Sequence, residues 1–171
     1  VETAGECMDY NTSCTYAADP GSVTDPALTA QLALHTNPET RTSVDAHSKT
    51  IYKIPPKIFL PFTILTHLYL RHNKINEIYC DSFEGLTSLI YLELYDNKID
   101  KFPNVSFMVN LQHLRLYQNK ITHIPISDLN AMPSLTKLEL YNNPLTCIDD
   151  QHIFDAFPVL EIFHVKDTDL S

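Results

Sequence analysis

Leu111-Gln112-His113-Leu114-Arg115-Leu116-Tyr117-Gln118-Asn119-Lys120-Ile121 decides the fold. Its framework is L-x-x-L-x-L-x-x-N-x-[IL]. The same framework stands at Leu65, Leu68, Leu70, Asn73 and Ile75, and again at Leu89, Leu92, Leu94, Asn97 and Ile99. It returns at Leu135, Leu138, Leu140, Asn143 and Leu145, so the copies are offset by 24, 22 and 24 residues. A looser fifth copy, Leu160, Phe163, Val165, Thr168 and Leu170, follows 25 residues later. Self-similarity at a fixed period of this size is the mark of a stacked-repeat architecture.

The L-x-L centre alternates with period two, so each copy carries a short strand with two leucines pointing inward. This pattern resembles the leucine-rich repeat family over about residues 44–171. The resemblance implies an α/β leucine-rich repeat solenoid, with a curved parallel β-sheet on its concave face and an irregular or 3-10 convex side. Parallel strands would stack about 4.8 Å apart. The asparagine amide can bond backbone groups left open by the turn, giving a ladder of Asn73, Asn97, Asn119 and Asn143 that Thr168 breaks. Phe59, Phe83, Phe107, Leu129 and Phe154 are expected to pack the convex side as core.

Residues 1–54 read as an amino-terminal cap with an irregular insertion, and 55–171 as about five repeats without a carboxy-terminal cap. The stretch Val44-Asp45-Ala46 through Ile54-Pro55 is similar to the capping module of extracellular members of that family, with Ala46 where the family places a cysteine. Within residues 15–43, the apolar segment 27–34 is compatible with a short helix or a strand. Asn143-Pro144-Leu145-Thr146-Cys147 opens like the family's carboxy-terminal cap, but Ile148 and Asp149 do not continue it. The expectation is that the natural chain continues past Ser171, or that a partner covers the open end.

Composition narrows the function. The 171 residues are 44% hydrophobic and 19% charged, with a net charge of −9. An acidic surface repels phosphate backbones, which argues against nucleic acid as a partner. Three glycines leave no phosphate-cradling loop. No apolar run approaches the roughly 18 residues of a membrane span. Cys7 and Cys14 lie in a polar stretch and read as a local disulfide; Asn11 and Asn104 head glycosylation sequons. Together these features suggest a secreted, extracellular glycoprotein. Cys80 and Cys147 would sit about 14 Å apart along the sheet, beyond the ~7 Å reach of a disulfide. Cys80 then reads as a small buried hydrophobe. Cys147 reads either as a buried thiol or as a partner for residues beyond Ser171 or for another chain.

In a solenoid the outward strand residues form columns, and function lives there. The first column is His67, Tyr91, His113, Lys137 and Ile162. The second is Tyr69, Glu93, Arg115, Glu139 and His164. The third is Arg71, Tyr95, Tyr117, Tyr141 and Lys166. Tyrosine combines contact area, a hydroxyl and little rotamer entropy, so Tyr69, Tyr91, Tyr95, Tyr117 and Tyr141 are candidate ligand contacts. The tyrosine column is equally compatible with a stacked structural ladder. Glu93, Arg115 and Glu139 alternate in charge, as a recognition element or as cross-strand pairs that merely solubilise the sheet. His67 and His113 lie two strands apart, roughly 10 Å, too far for one zinc ion. No catalytic grouping is present in the sequence, and no cofactor or metal is implied. The expectation is a non-catalytic module that binds a protein partner through its concave face or its open carboxy-terminal end. The rival is a structural or assembly subunit of an extracellular matrix, coat or multisubunit complex.

Overall fold

The computed structural model describes residues 24–124, 132–146 and 159–164. A helix, α1 (Pro26–Ala33), comes first and a 3-10 turn spans Pro38–Thr40. Among the described residues eight short strands follow: β1 (Ser43–Asp45), β2 (Lys53–Ile54), β3 (His67–Tyr69), β4 (Glu77–Ile78), β5 (Tyr91–Glu93), β6 (His113–Arg115), β7 (Lys137–Glu139) and β8 (Ile162–His164). Six form one parallel sheet in the order β1-β3-β5-β6-β7-β8, and β2 pairs with β4 on the flank. This is a solenoid of about four turns, as the repeat dictates. Among the described residues the convex side is built from turns rather than 3-10 helices.

The register puts Val44, Leu68, Leu92, Leu114, Leu138 and Phe163 in one row. The five through Leu138 have no exposed surface, and Phe163 packs against them. Burying each such side chain contributes about 1.5–3 kcal/mol. Val44 and Ala46 take the inward places that leucines fill in later copies, so the sheet already begins at Ser43. Of the 27–34 segment, residues 27–33 are helical and Leu34 is the C-cap. Asp25 caps α1 by accepting the Leu28 N–H at 2.9 Å, and its other oxygen accepts the N–H groups of Tyr52 and Lys53 at 2.8 and 3.0 Å. One buried carboxylate thereby fixes the helix to the start of β2, while Leu28 and Leu32 join the common core.

Phe59 and Phe83 are fully buried and stack with centroids 6.0 Å apart. Phe107 departs from the expected core row, being only half-buried. Its copy is 22 residues long, so the sixth residue before the first leucine is Val105, and Val105 takes the buried place. Leu129 and Phe154 lie outside the described residues, as do Val165, Thr168 and Leu170.

The asparagines form a continuous chain of bonds. Asn97 Nδ2 donates to the carbonyls of Leu70 (3.0 Å) and Leu94 (2.9 Å). Asn119 Nδ2 donates to Leu94 and Leu116, both at 3.0 Å. Asn143 Nδ2 donates to Leu116 at 2.9 Å and Leu140 at 2.8 Å. Each Oδ1 accepts a backbone N–H of the preceding turn: Ile75 to Asn97, Ile99 to Asn119 and Ile121 to Asn143, all at 3.0 Å. Asn73 does the same for Lys49 and Ile51.

The residue just before each asparagine is left-handed: His72, Asp96, Gln118 and Asn142 have φ of 55°, 53°, 56° and 56°. Ser48 holds the same place in the first turn, at 55°. Backbone bonds hold these turns, since the N–H groups of Ser48, His72, Asp96 and Gln118 donate to the Arg71, Tyr95, Tyr117 and Tyr141 carbonyls.

Asn119→Ala strands the buried Ile99 N–H and removes two donors from neighbouring carbonyls, so it should lower stability by about 3 kcal/mol in urea unfolding. Gln118→Asn keeps the turn and suits the left-handed region better, so it should raise stability by about 0.5 kcal/mol in the same assay.

Candidate concave recognition face

The strand register brings the expected columns together. Ser43, His67, Tyr91, His113, Lys137 and Ile162 lie side by side, and Asp45, Tyr69, Glu93, Arg115, Glu139 and His164 form the next row. Asp45 and His47 extend this face, although the sequence reading placed them in the cap. The signal was available: Val44-Asp45-Ala46 has the same inward–outward–inward alternation as the later strands.

Tyr95, Tyr117 and Tyr141 stack nearly parallel, with centroids 4.3 and 4.4 Å apart and interplanar angles of 11° and 10°. His72 meets the end ring, Tyr95, edge-on at 5.0 Å. The faces of the middle ring are covered by its neighbours, so the row presents ring edges and hydroxyls. All three tyrosines are half-buried. Burial and the flanking Tyr95 and Tyr141 hydroxyls raise the Tyr117 hydroxyl above the usual tyrosine range, keeping it a neutral donor.

A second aromatic row stands beside the first. Tyr91 lies between His67 and His113, at 5.8 and 5.2 Å from their rings, and Tyr69 is 5.9 Å away. The two histidines are thus separated by a ring. Among the described residues no cluster of His, Cys, Asp or Glu could hold a metal ion. Burial pushes the Tyr91 hydroxyl up to about 12, with Glu93 adding to the rise and Arg115 opposing it.

Between the aromatic rows runs a strip of ion pairs. Glu93 accepts from Arg71 Nη1 at 2.7 Å and from Arg115 Nη1 at 2.9 Å. Arg115 Nε stands 2.8 Å from Glu139 Oε2, yet neither atom is aligned for a hydrogen bond, so this contact is an ion pair only. Lys137 reaches Glu139 Oε1 at 3.4 Å. The guanidinium of Arg71 lies 5.2 Å over the Tyr69 ring and that of Arg115 5.2 Å over Tyr91. Glu93 and Glu139 are buried. Their geometry is that of cross-strand pairing, and the cations lie above them. At the rim, His47 pairs with Asp45 at 2.6 Å and His72 with Asp96 at 2.7 Å. Burial alone would raise the Asp45 carboxyl, but the His47 bonds and Arg71 hold it below the usual range. Asp45, Tyr69, Arg71, Tyr91, Glu93 and Tyr95 line an open depression of about 510 Å³.

Away from this face, Asn104 is tied into its loop. Its Nδ2 donates to the Cys80 carbonyl at 3.0 Å, and its Oδ1 accepts from Ser106 N and Oγ. Cys80 is buried and disulfide-bonded, its partner lying outside the described residues, which corrects the reading of Cys80 as a simple buried hydrophobe. Cys7, Cys14, Asn11 and Cys147 also lie outside the described residues.

His113 generates a pH dependence. Burial first, then the charges of Lys137 and Arg115, lower its pKa below the ordinary histidine value, against a smaller opposite pull from Glu139. Its Nδ1 is buried without a hydrogen-bond partner among the described residues. On acidification the unfolded chain takes up this proton before the native one does. The stability tied to His113 is therefore complete above the ordinary value near 6.5 and is lost as pH falls toward the lowered one. His113→Gln should shrink the difference in urea midpoint between pH 7 and pH 5.

The comparisons agree with this architecture. The sequence matches the leucine-rich repeat family at residues 42–99 and 63–109, and a two-copy leucine-rich repeat pattern at 109–151. Among solved structures, an internalin of Listeria monocytogenes is 26% identical with a TM-score of 0.57, covering 75% of this chain and 35% of its own. A leucine-rich repeat protein of Leptospira interrogans is similar in fold, at 24% identity and a TM-score of 0.59, covering 70% of this chain and 30% of its own. The chain thus spans about a third of either structure's length. No curated protein matches the sequence. With residues 42–151 matched, well over half of its length, the chain belongs to the leucine-rich repeat family.

Proposed function

We propose that this chain is a secreted, non-catalytic recognition module that binds a protein partner through its concave face. Leucine-rich repeat proteins commonly bind other proteins and are generally non-catalytic. No helix among the described residues is long and apolar enough to cross a membrane. The observation that carries the reading is the tyrosine row: three half-exposed rings, pre-stacked at 4.3 and 4.4 Å, beside two arginines laid over aromatic rings. Tyrosine and arginine dominate binding hot spots, and side chains already fixed in place lose little entropy when a partner docks. The extracellular assignment rests on the disulfide at Cys80 and on the sequons at Asn11 and Asn104.

A partner captured from the fluid around the natural source tests the reading. Tyr117→Ala removes the middle rung and should weaken that partner's binding at least tenfold, about 1.4 kcal/mol or more. Lys101→Ala, on the flank, should leave binding unchanged. Equal affinity in both variants, with cross-links mapping to the convex side, would sink the concave-face reading.

A further inference from the structure

The ion-pair strip is nearly neutral by count but not by what it shows to solvent. Arg71, Arg115 and Lys137 face Glu93 and Glu139, and Asp45 at the β1 end balances the third cation, in a chain whose net charge is −9. Depth sets the bias. The side chains of Glu93 and Glu139 are 7% and 10% exposed, against 23%, 28% and 20% for Arg71, Arg115 and Lys137. The carboxylates of Glu93 and Glu139 form the floor and the cations lie above them, while Asp45, 47% exposed, adds a negative charge at the β1 edge.

Both guanidiniums are also held in position. Arg71 is pinned between Glu93 and the Tyr69 ring, and Arg115 between Glu93 and the Tyr91 ring. Among the described residues, neither Nη2 group has a hydrogen-bond partner. Such planar donor groups match a carboxylate in geometry and charge. The depression beside them is walled by Tyr69, Tyr91 and Tyr95, whose side chains suit a protein ligand. Asp45, held ionised on the β1 side, repels an anion and sets that edge of the site.

We infer that the depression beside Arg71 and Arg115 receives an acidic side chain, glutamate or aspartate, from an acidic segment of the protein partner. This rests on the concave-face reading above and specifies the chemistry of its partner.

A blocked, fluorescein-labelled hexaglutamate peptide is the probe, with hexaglutamine and hexalysine as comparisons, read by anisotropy on the full chain at about 50 mM salt, where the Debye length exceeds 10 Å. Hexaglutamate should bind saturably in spite of the acidic net charge, and the other two should not. Arg71→Gln should weaken it at least tenfold. Arg71→Lys, which keeps the charge and loses the fork, should fall between, while Lys101→Gln should match the parent. Thermal melts establish that each variant is folded. Absence of saturable binding, or equal affinity in Arg71→Gln and the parent, overturns the inference. If the natural partner's binding still depends on Tyr117 but ignores Arg71→Gln, only this inference falls. If it ignores both, the concave-face reading falls with it.

Discussion

Every turn in this solenoid has buried backbone groups that it cannot satisfy by itself. The parallel sheet serves only three residues per strand, so the chain leaves it with its N–H and C=O groups still inside. The asparagine amide closes the gap in both directions. Leu70, Leu94 and Leu116 each offer one carbonyl to two asparagines, their own and the next. The result is an unbroken amide–carbonyl chain from Asn73 to Asn143. Leaving a buried donor or acceptor unmet costs about 1–3 kcal/mol, comparable with the burial of a leucine. The asparagines thus decide whether adjacent repeats can stack, and the leucines determine how strongly they do.

That stacking dictates the chemistry of the concave face. With parallel strands in register, side chains at equivalent positions become neighbours whether or not they are compatible. Three tyrosines at one position therefore stack, and alternating Glu and Arg at another must pair. The columns of the face are self-complementary, and that complementarity engages part of its donors and acceptors. Both oxygens of Glu93 are occupied by arginines, each through its Nη1.

The repeat, the strand register and the asparagine ladder were legible because each follows from period and residue type alone. The outward columns followed as well, since period-two alternation fixes which residues share a face. Depth was not legible. Glu93 and Arg115 look equivalent in sequence, but the longer arginine extends over a ring while the glutamate is covered. The convex side was misread at Phe107 because aromatic residues were matched by type; counting six residues back from the first leucine selects Val105. The membership of Asp45 and His47 in the face was obscured because Val44 and Ala46 are small and are followed by Lys49 where later copies have asparagine. The bonding of Cys80 depends on chain far from it in sequence, which no local pattern reveals.

Five successive turns adopt one left-handed backbone shape with five different residues: Ser48, His72, Asp96, Gln118 and Asn142. None is glycine. Neighbouring carbonyls enforce the conformation, so the residue itself carries little of the responsibility for it. Shape and identity are therefore uncoupled at the lip of the sheet. Mutation can rewrite these five letters one at a time, at a cost of a fraction of the ~1–2 kcal/mol that a left-handed residue imposes. The lip is a place where substitution alters what the face presents while the scaffold keeps its form.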